Sequence, residues 1–117
     1  MREIKYRLWN PERNVMTAGN ELNTILATTD TEFVKEFDRC KMVWMQYTGL
    51  KDKNGKEGYH KDIVSSGEKL YSIEWQNEEA RFWLAPYGNN TGTWQFMDML
   101  ESFEIIGNIY ETPSLIN

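Results

Sequence analysis

The chain has 117 residues, with 18 acids against 13 bases and a formal net charge of −5. That length fits one domain, 1–117, able to bury a real core without a staple. A single cysteine (Cys40) and a single histidine (His60) exclude an intramolecular disulfide and a four-ligand structural zinc site, and the net acidity argues against DNA binding as a default role.

The first residues alternate charge and bulk and lack the apolar core of a signal peptide. No apolar run approaches the roughly 20 residues needed to span a bilayer. A cytoplasmic protein, in whatever cell makes it, is the expectation, with no membrane contact.

Residues Arg2–Trp9 read as a strand with Ile4, Tyr6 and Leu8 on one face and Lys5, Arg7 and Trp9 on the other. Asn10–Asn14 is turn chemistry around Pro11, and Val15–Ala18 completes a hairpin. Gly19–Asp30 is weakly patterned. Thr31 is placed to cap a short helix running to about Arg39, with Phe33, Val34 and Phe37 on its apolar side.

Lys41–Thr48 carries β-branched and aromatic residues at both parities and reads as a strand covered on both faces. Asn54-Gly55 follows as a type I′ turn candidate, since both residues tolerate positive φ. Asp62–Ser65 and Lys69–Trp75 read as strands, Gln76–Glu79 as a turn, Ala80–Ala85 as the return strand and Pro86–Gly92 as loop. Asn89-Asn90-Thr91 matches a glycosylation acceptor, a chemistry without consequence in a cytoplasmic protein. Thr93–Ser102 reads as a helix capped by Thr93, with Trp94, Met97 and Leu100 at helical spacing. Glu104–Tyr110 is a last strand with a bulge or bend at Gly107, and Pro113 ends regular structure.

Roughly seven short strands without βαβ alternation predict a mainly β fold. The expected form is a strongly bent antiparallel sheet or small SH3-like barrel with one or two short helices.

Three blocks carry a resemblance. The opening Arg2–Trp9, the stretch Met45–Glu57 continued by Asp62-Ile63-Val64, and the closing Ile105–Glu111 with Pro113 and Leu115 resemble, in that order, the motifs of the YopX family. These are small proteins encoded mainly by bacteriophages and prophages. The family's segment after the central turn carries an apolar residue before the Tyr, then an acid and a glycine before the Asp; here those positions hold Gly58, His60 and Lys61. A positive φ is expected at the position of Lys61. The resemblance implies a β-rich accessory protein that assembles as a homo-oligomer, and it implies no reaction.

The residues that carry chemistry are few. His60 lies two positions from Asp62, a spacing that shares one face of a strand, with Ser65 and Ser66 close behind; a surface histidine at a strand entry is the simpler account. Cys40 has cationic neighbours but no companion base, which suits an inert, partly buried thiol. No catalytic residue, metal ligand or cofactor site is assigned. Lys51, Lys53 and Lys56, with Tyr47 and Tyr59, surround the Asn54-Gly55 turn, an interleaving that suits single-stranded nucleic acid on a small barrel. Asp52, Glu57 and Asp62 dilute that charge. The leading expectation is therefore a non-enzymatic protein that self-associates or binds a host or phage protein, and the alternative is a nucleic-acid-binding small β-barrel.

Overall fold

A computed structural model describes residues 5–19, 22 and 31–112, the side chains of 31–34 excepted. The expected strand residues Arg2–Ile4, most of Gly19–Asp30, the Thr31 cap, Phe33, Val34 and the closing Pro113 and Leu115 lie outside what is described. The described residues are mainly strand, and every strand pairing among them is antiparallel. The described residues fall into two compact units, Lys5–Gln46 and Tyr47–Thr112.

In the first unit, β1 (Tyr6–Asn10) and β2 (Val15–Ala18) form the expected hairpin. Asn10, itself buried, makes the turn: its side-chain oxygen accepts the Glu12 and Arg13 N–H groups at 3.0 and 3.1 Å. On its other side β1 pairs with the start of β3 (Val43–Lys51), from Trp9↔Val43 to Tyr6↔Gln46. Leu8 and Trp9 are both buried although they point to opposite faces, so the far end of β1 is covered on both sides. Helix α1 (Thr31–Cys40) runs one residue past expectation. It closes with Lys41 in the left-handed region (φ 56°) and the Met42 N–H reaching back to the Phe37 carbonyl, a Schellman-type stop. Arg39 to Glu12 and Arg13 to Glu36 tie this helix to the hairpin turn.

In the second unit, the end of β3 pairs with β4 (Glu57–Tyr59) through Tyr47↔Tyr59 and Lys51↔Glu57, with an irregularity between them. Gly49 sits there at φ 89°, and the Thr48 hydroxyl donates to the Gly58 carbonyl. Gly58 is closely packed: a Cβ there would meet Leu100 Cδ2 at 2.7 Å, so the leucine would have to move. The loop between β3 and β4 is not a type I′ turn. Only Gly55 has positive φ (81°). The organiser is Asp52, whose Oδ1 accepts the Asn54 and Lys56 N–H groups, both at 2.9 Å, while its carbonyl accepts the Gly55 N–H. A charged acceptor at the loop base makes the mirror-image turn unnecessary.

The rest of this unit is a five-stranded sheet in the order β8-β7-β6-β5-β9, built from β5 (Asp62–Ser66), β6 (Lys69–Gln76), β7 (Arg81–Tyr87), β8 (Gln95–Phe96) and β9 (Glu104–Asn108). Val64, Tyr71, Ile73, Phe82, Leu84, Leu100, Phe103 and Ile105 form one buried cluster. Pro86 and Tyr87 belong to β7 rather than to the following loop, because β8 pairs only with Trp83 and Leu84 and demands no N–H from Pro86. The expected bulge in the last strand falls at Ile106, beside Gly107: Ile63 faces Gly107 and Val64 faces Ile105. That strand stops at Asn108, whose side-chain oxygen accepts the Tyr110 and Glu111 N–H groups and turns the chain.

The expected helix over Thr93–Ser102 is replaced by β8 and a 3-10 helix, Met97–Ser102, that follows Phe96 with no side-chain cap. Three residues per turn separate its faces. Met97 and Leu100 turn to the core, whereas Asp98 and Glu101 share an exposed face. Trp94, half exposed, does not join them.

Candidate functional site

The lysines and tyrosines around the loop at residues 52–56 part company. Lys51, Lys53 and Lys56 are exposed, but Tyr47 and Tyr59 are 5% and 9% exposed and pack on each other with ring centroids 5.5 Å apart. Cross-strand pairing of two tyrosines on one face of β3 and β4 accounts for this. Rings buried in that way are not presented for stacking on bases.

His60 and Asp62 have separate roles. The Asp62 carboxylate is buried and accepts the Tyr59 N–H at 2.8 Å. His60 Nε2 lies 3.6 Å from Glu74 and its ring packs on Phe82. Glu74 also takes Lys61 Nζ and the Ser72 hydroxyl. Burial alone would raise the Glu74 carboxyl, but hydrogen bonds from His60, Lys61 and Ser72, with the Lys61 charge, hold it at about 2. This cluster fixes the turn at His60-Lys61, where Lys61 adopts φ 75° as the pattern of the turn required. The Ser65 hydroxyl donates to the Gly67 carbonyl. Cys40 is buried, and burial pushes its thiol up, away from a reactive thiolate. Among the described residues no three His, Cys, Asp or Glu side chains group as metal ligands, and no helix is long and apolar enough to cross a membrane.

The feature that sequence reading missed lies at the β8 edge of the five-stranded sheet. Trp83 and Phe96 face each other across β7 and β8 and stack at 4.9 Å. The Arg81 guanidinium lies 4.3 Å from the centre of the Trp83 ring and 5.0 Å from that of Phe96, with its Nε on Glu79. Leu50 (40% exposed), Trp94 (50%), Phe96 (56%) and Met99 (41%) are large apolar side chains left to solvent in this unit, as is Trp75 (40%) on β6. Two grooves of about 420 Å³ each share Leu50 and Asp98. One is completed by Arg81, Phe82, Phe96 and Met97, the other by Lys51, Asp52 and Glu101. Neither Asp98 nor Glu101 makes an ion pair among the described residues. The only sequence-level signal was a surplus of aromatics, whose helical spacing at 94–100 pointed inward.

Comparison with known proteins places the chain. A family model described as YopX protein matches residues 5–117. The chain belongs to the YopX family. No curated protein matches it. Among solved structures, protein EF1440 from Enterococcus faecalis is similar over 100% of both chains, with 21% identity and a TM-score of 0.65, a likeness of fold.

Proposed function

We propose that this YopX-family chain is a non-enzymatic phage or prophage accessory protein of the bacterial cytoplasm that acts by self-association, through the surface around Leu50, Phe96 and Asp98. The observation that carries the reading is the composition of that surface. Its lining combines the apolar Leu50, Phe96 and Met97 with two bases, Arg81 and Lys51, and three acids, Asp52, Asp98 and Glu101.

A two-fold contact sets one patch against the same patch on a second copy, so the patch must match itself. A surface with both signs among apolar side chains satisfies that condition. A purely acidic or purely basic surface would repel its copy. Trp and Arg are also the residues that anchor interfaces most strongly, and here stacking fixes Arg81 in place before any partner arrives.

Light scattering on size-fractionated protein tests this. The wild type is expected to run as an oligomer, and Phe96→Asp and Leu50→Asp to shift it towards monomer with unchanged circular dichroism. A wild type that is monomeric at every concentration, or variants that keep the oligomer, would overturn the proposal. Capture of a host or phage protein by the monomer would then point to a different occupant.

A further inference from the structure

Asn54 is the single asparagine in the chain that is followed by glycine, and its loop adjoins the surface above through Asp52. Asn-Gly pairs are where an asparagine side chain most readily converts to a carboxylate, because the next backbone nitrogen is unhindered. Here both residues are exposed, and beyond the adjoining residues no heavy atom lies within 4 Å of where a Cβ on Gly55 would sit.

The reacting groups are nevertheless held. The Gly55 N–H, which must lose its proton, donates to the Asp52 carbonyl at 3.0 Å. The Asn54 N–H is fixed on Asp52 Oδ1, and the Asn54 Nδ2 group, the one that must leave, donates to Glu104 Oε2 at 3.3 Å. We propose that Asn54 is a deamidation site whose rate is governed by the clasp that Asp52 and Glu104 place on it.

In the reaction the Gly55 nitrogen gives its proton to solvent base and attacks Asn54 Cγ. The Cγ–Nδ2 bond breaks, Nδ2 leaves as ammonia with a proton from solvent, and a succinimide closes. Water then opens the ring at either carbonyl to give aspartate or isoaspartate. No oxidation state changes, and water is the only co-reactant.

The product bears on the fold. A carboxylate at position 54 replaces the donor that faced Glu104 and adds a negative charge beside Asp52. Isoaspartate also lengthens the loop backbone by one carbon. Asp52 and Lys53 hold β9 through the Ile105 N–H and the Phe103 carbonyl, so ageing at Asn54 loosens the attachment of that strand.

The test is peptide mapping by mass spectrometry with isoaspartyl methyltransferase labelling, on protein incubated at mildly alkaline pH. Native wild type, urea-unfolded wild type, Asp52→Ala and Glu104→Ala are compared, with Asn54→Gln as the blank. Product is expected at Asn54 ahead of every other asparagine. Glu104→Ala releases the one hydrogen bond on the leaving amide and should speed product formation about fivefold. Asp52→Ala keeps the backbone carbonyl on the Gly55 N–H but frees the Asn54, Lys56 and Ile105 N–H groups that shape the loop, so it is expected to form product at least as fast. Glu104→Ala keeps the test valid should Asp52→Ala fail to fold. Slowest reaction in the native wild type supports the proposal. An Asn54 that stays intact, a native rate equal to the unfolded one, or folded variants no faster than wild type would overturn it.

Discussion

Replacing Asp52 by alanine should be among the most damaging single changes in the second unit. The carboxylate is 5% exposed and accepts three backbone N–H groups, from Asn54 and Lys56 at 2.9 Å and from Ile105 at 2.8 Å. After truncation the Asn54 and Lys56 amides, which lie in an exposed loop, regain water. Each then forfeits about 1 kcal/mol or less. The Ile105 N–H belongs to a buried residue and is left without an acceptor, at about 1–3 kcal/mol. The expected loss is about 2–5 kcal/mol, read as a lower urea midpoint with little change in slope. Asp52→Asn should fall between, because it keeps one acceptor oxygen but turns an amide donor towards one of the N–H groups. An alanine variant within about 1 kcal/mol of wild type would show that the clasp does not anchor β9. The charge matters as well. Burial alone would raise the Asp52 carboxyl, but the Ile105, Lys56 and Asn54 N–H groups and the Lys56 charge lower it. Its contribution is therefore complete above the unfolded carboxylate value and disappears as pH falls through the folded one.

Glu74, held at about 2, should behave in the same sense: its stabilisation is full above about pH 4.5 and declines towards pH 2. The nominal roughly 3 kcal/mol shrinks to about 1 kcal/mol after screening at this partly exposed position, and Glu74→Gln should flatten that part of an acid titration followed by fluorescence. Lys61→Ala loses the Glu74 partner while keeping the left-handed backbone and should cost about 1 kcal/mol. Lys61→Gly relieves about 1 kcal/mol of backbone strain and should return close to wild type in the same urea assay; equal damage from both would refute the strain reading. Gly58→Ala drives a methyl towards Leu100 Cδ2 in a fully packed cluster and should cost about 1–3 kcal/mol, measured as a lower melting temperature.

Local chemistry made much of this fold readable. The Asn10–Asn14 hairpin, helix α1 and the alternation along Lys69–Trp75 announce themselves through turn residues and periodicity, and the family motifs fixed the order of the blocks. Three features were not legible because they depend on distant partners. Asn54-Gly55 has the composition of a type I′ turn, but a carboxylate two residues upstream, committed also to the Ile105 N–H of β9, imposes another loop. Trp94, Met97 and Leu100 satisfy α-helical spacing equally well, yet the pairing of Phe96 with Trp83 holds residues 95–96 extended and leaves room only for a 3-10 turn. Tyr47 and Tyr59 looked available beside the lysines because nothing in the sequence says that they face each other. The exposed aromatic surface escaped for the same reason. Arg81, Trp83 and Phe96 come together only through strand register.

Phe96 replaced by a photo-crosslinking phenylalanine analogue gives the most direct test of self-association through this surface. Irradiation should yield a covalent dimer whose crosslinked peptides map to residues 47–51 and 81–101 of the second copy. Irradiated protein that stays single-chain at high concentration, or crosslinks that land in the first unit, would contradict the assignment.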